Sequence, residues 1–145
     1  MREHSVFIEG MTRTIIHRSI SPEEHDHFRE PFKDQDKRKP MWVFPNQIPI
    51  GDQPSEVVEA VHTRNAWFTG SPIPKILFYA APGCNFREPH LNWCRTNLQN
   101  LTLFDTGEGY HYLLEENPHG IAQELHRWFL QINAASHDNH LSEQI

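Results

Sequence analysis

Two stretches constrain this chain more than any others: Lys75-Ile76-Leu77-Phe78-Tyr79-Ala80 and Leu101-Thr102-Leu103-Phe104-Asp105-Thr106. Each is a nearly continuous apolar run of strand length, the pattern of a parallel strand covered on both faces. Parallel neighbours need a crossover connection, and the chain supplies one: the loop APGCNFREP, then a short helix through Leu91, Trp93 and Leu98. After the second run, the loop GEGYHYLLEENP leads into a last helix over roughly 118–132, with Ile121, Leu125, Trp128, Phe129 and Ile132 on one face. Strands alternating with helices give an α/β layer architecture. Yet two strands make a poor sheet with both edges open. Their apolar character asks for neighbours that these residues do not provide, so the sequence reads as the end of something larger.

Upstream the pattern is helical and then irregular. Residues 3–11 read as a short helix with Phe7, Ile8 and Met11 on one side, and TRTIIHRSI as irregular or extended. Ser21-Pro22-Glu23-Glu24 is a strong helix start, with Ser at the N-cap, Pro in first position and Glu three after the cap. That helix stops by Pro31. Pro31, Pro40, Pro45, Pro49 and Pro54 then punctuate a segment carrying Phe32, Trp42 and Phe44. So many prolines argue against both helix and central strand, while the aromatics suggest a wrap over something apolar. A further helix is expected from about Pro54 to Thr69, capped by Gly70, with Val57, Val58, Val61 and Phe68 as its buried stripe. Residues 133–145 are polar, carry no stripe and are expected to be disordered.

Composition narrows the function. The 145 residues carry 13 Lys+Arg against 19 Asp+Glu, a net charge of −6, which argues against a nucleic-acid or other phosphate-binding surface. Cys84 and Cys94 cannot form a disulfide framework. No apolar run approaches membrane-span length, and MREHSVFIEG has no signal-peptide core. A cytoplasmic location without membrane contact is expected.

Chemistry in open α/β sheets gathers in the loops at the carboxyl ends of strands. Two loops qualify, Ala81–Pro89 and Thr106–Pro118. In the second, His111 sits just ahead of a helix, where a flexible loop could deliver a general base; a loop histidine bonded to backbone is the plainer reading. Cys84 could be a nucleophile with His111 as its base, but no third orienting group is evident, and a packed small side chain explains it better. His25 and His27 lie two apart on a helix and cannot chelate together. His137 and His140 fall in the polar tail, and no zinc spacing, HExxH, phosphate loop or GxGxxG occurs.

FIEG (7–10), HFREPF (27–32), WVFPNQIPI (42–50), SPIPKILFYAAPG (71–83) and GYHYLLEENP (109–118), in that order, resemble the haloalkane dehalogenases. These are α/β-hydrolases with a helical cap, close relatives of Renilla-type luciferase. The resemblance covers roughly residues 5–132. It implies an α/β fold class in which the chain is the C-terminal part of an α/β-hydrolase. Residues 1–70 would be the end of the cap and the return to the core, residues 71–132 the last two core strands and helices, and 133–145 a polar tail.

The family's chemistry has two steps. An Asp carboxylate displaces halide to give an alkyl ester, and a histidine oriented by an acid then activates water. By motif His111 is that base. Phe7, Phe44, Ile48, Cys84, Asn85, Phe86 and Tyr112 match positions lining the apolar substrate cavity, although core packing explains each aromatic equally well. The acid follows the strand matching KILFYA in one branch, where Glu88 is the candidate; in the other it lies upstream of the cap. In the family the nucleophilic Asp precedes a Trp. Here Trp42, Trp67, Trp93 and Trp128 follow Met41, Ala66, Asn92 and Arg127, and neither GxSxG nor the early HGNP-type loop is present. The resemblance therefore implies a fragment with the base but no nucleophile, inactive alone, needing no cofactor. Its partners would be a small halogenated hydrocarbon and the missing N-terminal half of the fold. The alternatives are a non-catalytic truncated paralogue that acts as an interaction protein, and a luciferase-like oxygenase.

Overall fold

The computed structural model describes residues 6–142, without the side chains of residues 11, 13 and 135–142. The chain divides into two units, Met1–Ser71 and Pro72–Ile145.

The first unit is a series of short helices. A wide turn over Phe7–Met11 runs directly into α1, Thr12–Ile15. The helix replaces the irregular segment expected there, because the β-branched residues mask a helical spacing. Ile8, Thr12 and Ile15 recur at helical intervals and are all buried. Against them packs α2, Pro22–Arg29, through His25, which is 1% exposed. Its Nε2 lies 2.8 Å from the Thr12 hydroxyl and 3.2 Å from the Ile8 carbonyl oxygen. Since Thr12 already donates to Ile8, Nε2 must carry the proton. Arg29 adds a forked pair to Glu9 at 2.7 and 2.6 Å.

The start of α2 is as the sequence demands. The Glu24 backbone N–H donates to the Ser21 hydroxyl, and the Glu24 carboxylate accepts from the Ser21 backbone N–H in return. Helix geometry ends at Arg29, one 3₁₀ turn (Glu30–Phe32) before the chain bends.

The Pro-rich segment corrects the expectation that it would contain no helix. It forms a 3₁₀ turn at Gln35–Arg38, the short helix α3 at Lys39–Val43 and another 3₁₀ turn at Pro45–Gln47. Pro31, Pro40 and Pro45 each occupy the first turn of such an element, where a missing N–H costs nothing. Met41 is buried, whereas Trp42 is exposed and Phe44 is 74% exposed.

The helix α4 runs Ser55–Gly70 with Pro54 at its N-cap, close to the expected bounds. Its stripe is not buried, however: Val57, Val58 and Val61 are half-covered, and Phe68 is 40% exposed. Periodicity records which face is meant to be covered, not what covers it.

The second unit holds the two strands, β1 (Lys75–Pro82) and β2 (Leu101–Gly109), with the crossover helix α5 (Glu88–Asn97) between them. The strands pair in parallel, Lys75 opposite Leu101 through Tyr79 opposite Asp105. Phe78 and Phe104 meet edge to face across the pair, ring centroids 5.7 Å apart. Lys75 anchors the start of β1: its Nζ donates to the carbonyls of Ile73 and Gln99, and its backbone N–H to that of Asn100. In α5, Leu91 and Cys94 are buried, but Trp93 is 49% exposed and Leu98 lies just past the helix.

Beyond β2, residues read as loop contain the single-turn helix α6, Leu113–Glu116, and the chain then enters α7, Pro118–Ser142. The last helix continues about ten residues past the expected end near 132, across residues expected to be disordered; residues 143–145 and the side chains of His137 and His140 lie outside the described part. Ile121 is buried and Trp128 half-buried, while Leu125 and Phe129 of the same expected face are exposed.

The Glu24 carboxyl is held down to about 2, first by its hydrogen bond from Arg18 (2.7 Å) and then by the Ser21 backbone N–H. A carboxyl lowered on folding stabilises the fold fully above its unfolded value near 4.5 and loses that contribution as pH falls toward 2. The pair is solvent-exposed, so its effect is modest. Amide protection in the first turn of α2, taken relative to the intrinsic exchange rate at each pH, should fall as pH drops across that window, and Glu24→Gln should flatten the response.

Candidate active site at the carboxyl ends of the strands

The pairing that begins in register slips near the strand ends. Tyr79 faces Asp105, but Ala81 faces Glu108, so β2 carries an extra residue and bulges. Three contacts fix the bulge. The Thr106 hydroxyl donates to the Tyr79 carbonyl (2.9 Å), the Gly107 N–H donates to the Asp105 carboxylate (2.9 Å), and Gly107 takes φ +90°, a conformation open to glycine. A bulge increases local twist and re-aims the chain beyond it, which here is Tyr110-His111-Tyr112.

The two strand-end loops are joined. The Gly83 N–H donates to the Gly109 carbonyl (3.1 Å), which sets the Cys84–Phe86 turn beside the His111 loop. Gly109 is closely packed: a Cβ there would stand 3.1 to 3.3 Å from side-chain atoms of Ala80, Glu116 and Leu113, each of which would have to give by a few tenths of an ångström. Gly83 has φ +69°, and a Cβ on it would lie 2.5 Å from the Phe86 carbonyl oxygen. Arg87 braces the turn from the far side, its Nε donating to the Cys84 carbonyl (3.0 Å), while its backbone N–H donates to Nδ1 of His90 (3.1 Å).

Most of the candidate residues gather around this junction. His111 is exposed at the loop, its ring 5.4 Å from that of the half-buried Tyr112. Cys84 is half-buried with its Sγ on Asn85 Oδ1 at 3.6 Å, and Asn85 and Phe86 are exposed. Of the candidates, Phe86 and Glu88 line a concavity of about 160 Å³ between Tyr79–Pro82, Phe86–Glu88 and Leu91, and His111, Tyr112, Cys84 and Asn85 do not. Glu88 lies in the first turn of α5 with its carboxylate on Arg95 Nη1 at 2.8 Å. Phe7, Phe44 and Ile48 belong to the first unit, where Phe7 is half-buried and Phe44 and Ile48 are exposed. Arg87, Thr106 and Asn117 brace the loops without any sequence motif that marks them for it. Among the described residues no cluster of three or more His, Cys, Asp or Glu could hold a metal, and no helix is long and apolar enough to cross a membrane.

Burial pushes the Cys94 thiol above its ordinary range, whereas Cys84 sits in the loop. Iodoacetamide at mildly alkaline pH should therefore alkylate Cys84 well before Cys94, as peptide mapping would show. Gly83→Ala should cost more than about 1 kcal/mol in a urea titration, because both φ and the Phe86 carbonyl oppose it.

No family model matches the chain. Curated relatives do. A haloalkane dehalogenase of Bradyrhizobium diazoefficiens is 30% identical over 132 residues, 91% of this chain and 43% of the relative. One from Mycolicibacterium smegmatis is 30% identical over 133 residues, covering 91% of the chain and 42% of its own length. Among solved structures, an ancestral haloalkane dehalogenase superposes with a TM-score of 0.87 at 32% identity, over 92% of this chain and 46% of that one. DbeA from Bradyrhizobium elkani gives 0.88 at 29% identity, with the same coverage. The chain spans less than half the length of the relatives it matches. Over nine-tenths of its length it is thus related to the C-terminal part of the haloalkane dehalogenases and shares their α/β-hydrolase fold.

Proposed function

We propose that this chain supplies the base and part of the substrate cavity of a haloalkane dehalogenase, and that the nucleophile lies in residues it does not include. The observation that carries the reading is the bulged end of β2 delivering His111 beside the Gly83–Phe86 turn, in a chain similar to dehalogenases along nearly all its length.

In the complete enzyme an Asp carboxylate oxygen attacks the carbon bearing halogen. A carbon–oxygen bond forms, the carbon–halogen bond breaks with its electron pair, and halide leaves. His111 then takes a proton from water as the water oxygen adds to the ester carbonyl. Collapse of that adduct expels the alkoxide, which takes the proton from the His111 imidazolium to leave as the alcohol, and the carboxylic acid so formed loses its proton to solvent to restore the carboxylate. The carboxylate is already an anion, so the first step needs no base and the second does. Phe7, Phe44, Ile48, Cys84, Asn85, Phe86 and Tyr112 would line the cavity. Glu88 is a weaker candidate for the orienting acid, because Arg95 already holds its carboxylate. A carboxylate upstream of the cap suits the role better.

Partner surface is written into the exposed apolar residues. The two-stranded sheet has both edges open, and Phe68 of α4 and Phe129 of α7 stand exposed on faces that the sequence patterns as buried. The N-terminal half of the same fold would cover them, at about 25 cal/mol for each Å² of apolar surface.

The test is fragment complementation. The chain is mixed with the N-terminal part of the Bradyrhizobium relative, and bromide release from a short bromoalkane is followed. The chain alone should release none. The complex should turn over, and His111→Gln in the complex should cut turnover by roughly 10²–10⁴ while still releasing one equivalent of bromide and leaving an alkyl adduct visible by mass spectrometry on the N-terminal fragment. Turnover by the chain alone that falls to a single equivalent of bromide with His111→Gln would mean that a carboxylate within it, Glu88 first, is the nucleophile. A stable homodimer that ignores the N-terminal fragment would favour a non-catalytic interaction protein.

A further inference from the structure

The His111 loop leaves β2 and returns to α7 within a few residues, and one side chain touches both of its ends. Asn117 sits between α6 and α7. Its Oδ1 accepts from the Gly120 N–H (3.0 Å), capping the first turn of α7, and its Nδ2 donates to the Thr106 carbonyl (3.2 Å) at the bulge of β2. Thr106 is buried and is itself bonded to β1 through Tyr79. The Asn117 amide therefore bridges the two ends of the segment between Thr106 and Asn117, with His111 near its middle.

The packing around that amide is specific. A Cβ on Gly120 would lie 2.6 Å from both Oδ1 and Nδ2 of Asn117, so the side chain folds over the helix start in space that only glycine leaves. The backbone on either side is also committed, with the Asn117 N–H donating to the Leu113 carbonyl and the Ile121 N–H donating to that of Asn117. On the strand side the loop is held by Gly83 and the close packing of Gly109. On the helix side, the Nδ2 bond to Thr106 is a direct hydrogen bond back to the sheet.

We infer that Asn117 is a positioning residue for His111: its amide clasps the bulge of β2 to the N-terminus of α7 and so sets where the histidine stands. The inference rests on reading His111 as the base. An N-cap alone would need only the Oδ1 acceptor, and Asp caps a helix as well as Asn, with a favourable charge at the helix N-terminus. The donor to Thr106 is what Asp lacks, and in its place a carboxylate oxygen would face a carbonyl oxygen.

That difference separates the two roles. In the whole chain carrying ¹³C-labelled histidine, the His111 ring signal, assigned by its loss in His111→Gln, reports the position of the ring, and hydrogen exchange at the Gly120 amide reports the cap. Asn117→Asp should leave Gly120 protection within about twofold of the parent while shifting and broadening the His111 signal. Gly120→Ala, which favours the helix but expels the amide, should displace the same signal without altering Asn117. In the complemented enzyme both variants should lower kcat by roughly tenfold to a hundredfold with KM unchanged, and the ester should accumulate. An undisturbed His111 signal in both variants would overturn the proposal, and so would loss of the fold in both, which would make Asn117 a structural residue only. The ring measurement needs no turnover, so a complex that never dehalogenates would count against the proposed function and leave this test standing.

Discussion

Everything the second unit does depends on the parallel pairing of β1 with β2. Parallel strands cannot be joined by a tight turn, so the chain must cross over, and the crossover brings both strand ends to the same side of the sheet. The Gly83–Phe86 turn and the Tyr110–Tyr112 segment become neighbours for that reason, though more than twenty residues separate them. The same pairing sets the bulge, because the extra residue in β2 has meaning only against a partner strand. Asp105, Thr106 and Gly107 each satisfy a different demand of that bulge: an acceptor, a cross-strand donor and a positive φ.

The site is braced mostly by backbone and small side chains. Gly83 permits an approach to the Phe86 carbonyl that a Cβ would obstruct, Gly109 packs closely against Ala80, Glu116 and Leu113, and Gly120 leaves the space into which Asn117 folds. Three glycines and an amide in this way fix a loop that carries a titratable ring, and the arrangement costs little side-chain entropy. The ionic contacts elsewhere are of another kind. Arg29 with Glu9 and Asp26, and Arg95 with Glu88, are exposed pairs that orient helices and contribute little stability each.

The exposed apolar residues give the rest of the structure its meaning. Val57, Val61 and Phe68 on α4, and Leu125 and Phe129 on α7, recur at the spacing of buried faces, yet Phe68, Leu125 and Phe129 stand open to solvent. The chain spans less than half the length of the relatives it matches, and the proposed N-terminal half of the fold would supply counterparts for such faces. The strand edges repeat the point, since a parallel sheet is ordinarily covered on both faces and extended at its edges.

Local chemistry was legible in the sequence wherever a residue acts on its immediate neighbours. Ser21-Pro22-Glu23-Glu24 specified a capped helix start, the two apolar runs specified parallel strands although most of their side chains are only half-covered, and the order of motifs through GYHYLLEENP pointed to the family and to His111. Less was legible where the outcome depends on distant partners. Thr12–Ile15 reads as extended from its β-branched residues, but burial against His25 makes it helical. The prolines near Pro40 and Pro45 read as helix breakers, but each begins a turn rather than interrupting one. Nothing in the sequence marked Asn117, whose amide meets both the Gly120 N–H and the Thr106 carbonyl. The sequence by itself determined the capped start of α2 and the two parallel strands, which follow from spacing and residue type, and its resemblance to a known family pointed to the family and to His111 as the candidate base. Only the tertiary structure decided the bulge, the glycine contacts and the Asn117 clasp, because each is a bond between residues that parallel pairing alone brings within reach.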